Sequence, residues 1–197
     1  MDLLTHADGH VLGWRIGRRP GEATATRSLR SPLGTLVVTA SERGVVGCRF
    51  ALERDEGHGP SARDGPALAH ARRAADELDE YFAGARRQFG VALDLRGTPF
   101  QIAAWRVLCE IPFGAVISYG EQAARMERPD AARAVGRANG ANPIAVIVPC
   151  HRVVASTGRL HGYAGGLDRK RWLLEHEVGP LNGSALEATD GALLWAR

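Results

Sequence analysis

The spacing of apolar and polar residues changes rhythm several times along the chain. In Ser31–Phe50, SPLGTLVVTASERGVVGCRF, two short apolar runs flank the polar Ser41–Gly44 segment, the pattern of a β-hairpin. Cys48 falls in the second run, where a small buried hydrophobe is the expected role. Leu52–Gly65 is polar and glycine-rich, a loop. PALAHARRAADELDEYFAG follows, with Leu68, Ala71, Ala75, Leu78 and Phe82 three or four residues apart; this predicts an amphipathic helix with Pro66 in its first turn and Gly84 at its end. Phe89–Leu95 alternates and predicts a third strand, and Arg96–Gly97 marks a boundary. Residues 1–28 show no periodicity and read as a loosely ordered extension.

Beyond Gly97 the texture turns helical. Thr98–Gln101 has the form of a capping box with proline at the first helical position, and Phe100, Ala104, Val107 and Leu108 make one apolar stripe, with Trp105 and Cys109 beside it. Ile111–Gly114 ends that helix. A second capping box, Ser118–Glu121, opens a short helix to about Met126, Glu127–Asp130 breaks it, and AARAVGRANG forms a third helix closed by Gly140. Two short helices joined by a tight turn are a helix-turn-helix pattern. The third helix has small residues at Ala132, Ala134 and Gly136 and cations at Arg128, Arg133 and Arg137. Two readings stay open on these grounds: a slim basic helix for a nucleic-acid groove, or a tightly packed helix with solvated arginines. The IAVIV run, residues 144–148, reads as a buried strand or extended segment that Pro149 ends.

The fold class is therefore α/β, a small α/β N-terminal domain followed by a mainly helical C-terminal domain with a helix-turn-helix and a cysteine segment. The expected boundaries are an extension at 1–28, the α/β domain at 29–96, the helical domain at 97–180 and a tail at 181–197.

Composition narrows the chemistry. The chain of 197 residues is 45% hydrophobic and carries a formal net charge of +3, which tolerates a polyanionic partner without demanding one. No apolar run is long enough to span a membrane and no secretory leader is evident, so a cytoplasmic protein is expected. Three cysteines, Cys48, Cys109 and Cys150, with no CxxC, disfavour a disulfide framework and a cysteine-built zinc site.

One stretch stands apart, VPCHRVV at 148–154. A free thiol has a pKa of about 8.5 and needs a base or a positive environment to act as a nucleophile; His151 and Arg152 supply both in principle. On a regular strand Cys150 and His151 would point to opposite faces, so pairing them requires a turn or a bridging water. An inert buried thiol beside an ordinary histidine is the alternative.

Taken together, IPFGAVISYGEQA, ARAVGRANGANPIAVIVPCHRVV and GYAGGLDRKRWLLEHE resemble the O6-alkylguanine-DNA alkyltransferases, the methylated-DNA–protein-cysteine methyltransferases. The match spans about Gly97 to Glu177, and the hairpin and helix before it are compatible with that family's more variable N-terminal domain. The resemblance implies that Cys150 accepts an alkyl group from O6 of guanine, that His151 removes the thiol proton through a water, and that Glu177 orients His151. It implies a hinge role for Asn142 and places the Tyr119 hydroxyl near guanine N3 as a proton donor. Arg133 corresponds to the arginine that enters the base stack, Ala132, Ala134 and Gly136 to the small helix face laid in the minor groove, and Arg152 is taken with the DNA-facing cations. Tyr163, Ala164 and Gly165, with Gly166, would line the pocket for the alkyl group. The partner would be double-stranded DNA carrying O6-alkylguanine, with the base flipped out. No cofactor and no metal are expected, although some relatives hold a zinc ion in the N-terminal domain. The protein would act as a monomer and only once. The competing classes are a lesion-sensing DNA-binding module, a regulator and a cysteine hydrolase. Retention of Cys150 counts against the first, the lack of a sensor domain against the second, and the lack of local hydrolase signatures against the third.

Overall fold

The computed structural model describes residues 4–5, 11–15, 22–51 and 64–179, and the tail expected at 181–197 lies outside them. The chain forms two units, one made by the chain up to Thr98 together with Pro143–Ile147, the other by Pro99–Asn142 and the chain from Val148 onward. The architecture is mixed α/β, a sheet unit followed by a helical one.

The first unit contains β1 (Leu4–Thr5), β2 (Val11–Arg15), β3 (Thr24–Ser31), β4 (Gly34–Ser41), β5 (Gly44–Phe50), α1 (Pro66–Phe82) and β6 (Leu93–Arg96). The strands form one sheet in the order β1-β2-β6-β5-β4-β3, with β6 parallel to both its neighbours and the other pairs antiparallel. Residues 1–28, read as a loose extension, thus supply β1, β2 and the start of β3. The signal was sparse because β3 is an edge strand that buries only Ala25 and Leu29, leaving no run of alternating apolar residues. Helix α1 lies against β3 and β4 through Ala25, Ala40, Ala67, Leu68 and Ala71, all buried. Four alanines at this contact let the helix axis approach the sheet closely.

The hairpin joining β4 to β5 turns at Ser41–Gly44, as the polar interruption predicts. Gly44 has φ 149°, and a Cβ there would sit 2.5 Å from the Ala92 carbonyl oxygen, which accepts the Val45 N–H at 2.8 Å. Gly44→Ala is expected to cost about 1–3 kcal/mol, from strain and from displacement of that bond. The check is a lower urea midpoint with an unchanged m value.

The second unit holds α2 (Pro99–Cys109), β7 (Ile117–Ser118), α3 (Tyr119–Arg125), α4 (Ala132–Gly140), β8 (Val153–Val154) and α5 (Leu167–Val178), with 3-10 turns at Pro129–Ala131 and Cys150–Arg152. Ser118 caps α3 as a capping box: its hydroxyl accepts the Glu121 N–H at 3.1 Å, and Glu121 Oε2 accepts the Ser118 N–H at 2.6 Å. Three buried contacts fix the helices to one another. Gln122 and Asn139 exchange two amide hydrogen bonds between α3 and α4, Gln122 also donates to the Ala104 carbonyl of α2, and the Trp105 indole donates to the Ala138 carbonyl at 2.8 Å. No helix among the described residues is long and apolar enough to cross a membrane.

The expected strand at 144–148 does not form. Ile144 makes a single parallel bridge with Cys48 of β5, where the Cys48 N–H donates to the Pro143 carbonyl at 2.9 Å and the Ala145 N–H to the Cys48 carbonyl at 2.8 Å. The chain then turns within three residues, closed by the Ile147 N–H on the Ala145 carbonyl at 2.9 Å, with the β-branched Val146 at φ 70°. That backbone conformation is strained for valine and ends any ladder. A run rich in β-branched residues reports burial here, and Ile144, Val146, Ile147 and Val148 are all buried.

Candidate active site

Two tight turns place the cysteine. Pro149, at φ −84° and ψ 64°, is the centre of an inverse γ-turn in which the Cys150 N–H donates to the Val148 carbonyl at 2.9 Å. Asn142 Nδ2 donates to the same carbonyl at 2.8 Å, so the amide that ends the α4 segment pins the residue two before the cysteine. Cys150, His151 and Arg152 then occupy one 3-10 turn. With about three residues per turn, such a turn sends successive side chains a third of a revolution apart. The turn that a Cys-His pairing requires is therefore present.

His151 is fully buried, and its Nε2–H donates to Glu177 Oε1 at 2.9 Å. A carboxylate only accepts, so the proton of the neutral ring belongs on Nε2 and the lone pair on Nδ1. Nδ1 is buried without a protein hydrogen-bond partner. Burial pushes the imidazole below its ordinary pKa; Glu177 opposes that shift, while Arg152 and Lys170 add to it. Glu177, in turn, is held well below the usual carboxylate range, because contacts with His151 and Arg152 outweigh its desolvation.

Arg152 corrects the expectation that it faces DNA. It is buried; its Nε donates to Glu177 Oε2 and its Nη2 to Glu177 Oε1, both at 2.9 Å, and its Nη1 to the Ile111 carbonyl at 2.6 Å. A guanidinium buried and forked onto a carboxylate inside the protein is turned away from any phosphate.

The Cys150 thiol is pushed up by burial and pulled back by hydrogen bonding with Asn142 and by the positive charge of Lys170. Lys170 is the residue that sequence reasoning missed. It is fully buried, donates to the Val153 carbonyl at 2.6 Å and the His161 carbonyl at 2.7 Å, and lies 5.9 Å from the centre of the Tyr119 ring. Burial brings its ammonium down to about 8, against the favourable pull of Cys150. A signal was present: Lys170, Leu173, Leu174 and Glu177 share one stripe of α5, so two charged residues stand at core positions and require buried partners. Lys170→Met is expected to raise the thiol pKa further. Alkylation of Cys150 by iodoacetamide at neutral pH should slow about tenfold, the equivalent of one pKa unit, as followed by peptide mass spectrometry.

Tyr119 opens α3, and its hydroxyl donates to the His161 carbonyl at 3.1 Å, the oxygen that Lys170 also uses. Burial and the nearby Cys150 push its phenol up, which keeps it protonated. Asn142, Cys150, His151, Glu177 and Tyr119 thus converge, joined through Lys170 and Arg152. Tyr163, Ala164 and Gly165 stand on a separate turn that leads into α5, closed by the Gly166 N–H on the Tyr163 carbonyl at 2.9 Å. Arg133 is exposed on α4, with Arg137 one turn on, while Val135, Ala138 and Asn139 face inward. The inward face fits the tightly packed reading, and the outward face carries the two arginines. Ala132 and Ala134 are half-buried, and Gly136 packs beside Tyr119, where a Cβ would lie 3.7 Å from the ring.

The two other thiols are set apart, since burial pushes those of Cys48 and Cys109 up to about 12. Among the described residues no three His, Cys, Asp or Glu side chains gather in a way that could hold a metal ion. Nucleophile, base, orienting carboxylate and buried cation together suit a displacement at carbon by a thiol that is deprotonated only during the reaction.

Comparison with known proteins agrees over most of the chain. The family profile described as 6-O-methylguanine DNA methyltransferase, DNA binding domain, matches residues 99–179, and that described as the ribonuclease-like domain of the same family matches residues 26–95. The methylated-DNA–protein-cysteine methyltransferase of Mycobacterium bovis is 46% identical over 151 residues, covering 77% of this chain and 90% of the relative. That of Methanosarcina mazei is 42% identical over 150 residues, covering 76% and 94%. The crystal structure of Mycobacterium tuberculosis OGT in complex with DNA is 45% identical, with a TM-score of 0.68, covering 78% of this chain and 92% of that one.

Proposed function

This chain belongs to the 6-O-methylguanine DNA methyltransferase family, and from that premise we propose how its residues carry the reaction. It binds DNA and repairs it by direct reversal, with the activity of a methylated-DNA–protein-cysteine methyltransferase. The acceptor is Cys150. His151 Nδ1, the one buried ring nitrogen of the site without a protein partner, takes the thiol proton through a water, and Glu177 holds the ring from its other side. The sulfur attacks the alkyl carbon on O6 of guanine. The S–C bond forms as the C–O bond breaks, the electron pair passes into guanine, and Tyr119 turns its hydroxyl from the His161 carbonyl to give its proton to guanine N3, after which the proton held on His151 restores the phenol. Net, the thiol hydrogen is exchanged for the alkyl group, and guanine carries the hydrogen away.

Base flipping costs a few kcal/mol of lost stacking, which the exposed Arg133 of α4 offsets by occupying the space left in the duplex. The O6-alkylated base is read beside Tyr163, Ala164 and Gly165, and one copy of the protein serves one lesion. The observation that carries the reading is the placement of Cys150 and His151 in one turn, with the imidazole backed by Glu177. Mixing the protein with a duplex containing one O6-methylguanine should add one methyl group per molecule, on the Cys150 peptide. Continued turnover beyond one equivalent would reject the single-use mechanism, and tight binding with no adduct would favour a lesion-sensing module.

A further inference from the structure

Resting on that reading, we infer that Arg152 is a positioning residue for alkyl transfer, holding Glu177 as a fixed and charge-compensated carboxylate so that His151 meets the thiol as a neutral base. The carboxylate is saturated. Oε1 accepts from His151 Nε2 and Arg152 Nη2, and Oε2 from Arg152 Nε and, at 3.1 Å, from the Gly114 N–H. Arg152 is itself held by the Ile111 carbonyl and lies 5.9 Å from the centre of the Phe113 ring, so the Ile111–Gly114 turn grips both partners.

A buried carboxylate facing only a histidine would draw a proton from solvent onto the ring, and an imidazolium cannot take another from a thiol. A forked guanidinium cancels the carboxylate's charge while leaving Oε1 free to accept from Nε2. The charged groups that act on His151 are Glu177, Arg152 and Lys170. Of these, only Glu177 favours the imidazolium, and Arg152 neutralises it. Base and clamp are consecutive residues of the turn that carries the nucleophile, so one carboxylate orients both.

The experiment is the pH dependence of single-turnover transfer from an O6-methylguanine duplex, for the wild type, Arg152→Gln and Arg152→Lys, with ¹⁵N NMR of the His151 ring in the wild type. In the wild type the ring should be neutral at pH 7, with its proton on Nε2. Arg152→Gln should move the acid limb of the rate profile up by about one pH unit, so that transfer on that limb falls about tenfold relative to its own plateau. Arg152→Lys keeps the charge and should hold the limb near its wild-type position, with a lower plateau because a point charge cannot grip both oxygens. An unmoved limb in a DNA-binding Arg152→Gln variant overturns the inference. If that variant does not fold, an imidazolium at pH 7 in the wild type overturns it, as does a Lys variant with an undiminished plateau. Wild-type protein that transfers no methyl group overturns the reaction reading itself, whereas transfer with an unmoved limb overturns only the role of Arg152.

Discussion

Cys150→Ala is expected to bind a duplex containing O6-methylguanine about as well as the wild type and to transfer nothing. The loss should be complete because no second nucleophile can stand in. Cys48 is buried in β5 and Cys109 ends α2, and burial pushes both thiols up to about 12, so neither carries thiolate at neutral pH. Cys150 has Asn142 and Lys170 to offset its desolvation, and of the three cysteines it is the one that shares a turn with His151. Binding should survive, since the exposed arginines of α4 and the buried pair Gln122–Asn139 that positions it lie on other elements. Intact mass after incubation, together with a gel-shift assay on the same sample, reads both halves. A methyl adduct on the alanine variant would show that another residue is the acceptor.

Glu177→Ala should have the largest effect on stability. It leaves the Arg152 guanidinium buried beside an uncharged gap and deprives the Gly114 N–H and His151 Nε2 of their acceptor. Removing one partner of a buried ion pair costs about 3–5 kcal/mol, which for a chain of this size lowers the melting temperature by about 6–20 °C. Glu177→Gln keeps the shape and an acceptor oxygen and should lose less. Melting against pH separates the causes. Glu177 has its folded pKa depressed, so its contribution is complete above the unfolded value of about 4.3 and is lost as pH falls below it. His151 is also depressed, and being a base buried neutral it costs stability once the unfolded chain binds its proton, below about pH 6.5. The wild type should therefore weaken below about pH 6.5 and more steeply below about pH 4.3. The alanine variant should lack the second step, and a variant that kept it would assign that step to another carboxylate.

How far the sequence foretold this site depends on the kind of signal each residue left. Local chemistry was legible: the Ser118–Glu121 capping box, Pro66 at the start of α1 and the polar turn at Ser41–Gly44 all act within a few residues of themselves. The resemblance carried Cys150, His151, Asn142, Glu177 and Tyr119, and these converge. Arg152 was misplaced because an arginine in a basic protein with a nucleic-acid partner invites a phosphate, and nothing nearby in sequence shows that Glu177, in a later helix, reaches it first. Lys170 was overlooked although its position in the α5 stripe marked it as buried. The IAVIV run failed as a strand because β-propensity measures fit to a half-buried pleated surface, and full burial selects the same residues whether or not a ladder forms. Edge strand β3 was missed for the converse reason, an ordinary strand with too little to bury.

The bridge between Cys48 and Ile144 bears on how the chain reaches this structure. Neither unit is a continuous stretch, since Pro143–Ile147 completes the first while its flanking residues, Asn142 and Val148, belong to the second. A nascent chain released only as far as Thr98 would present β5 with its backbone at Cys48 still unanswered, and the segment that answers it emerges after α2, α3 and α4. That contact closes a very long loop, which raises contact order and slows the step that forms it. The docked segment lies between Asn142 and Cys150 in the chain, so the nucleophile's turn is expected to settle only once this long loop has closed.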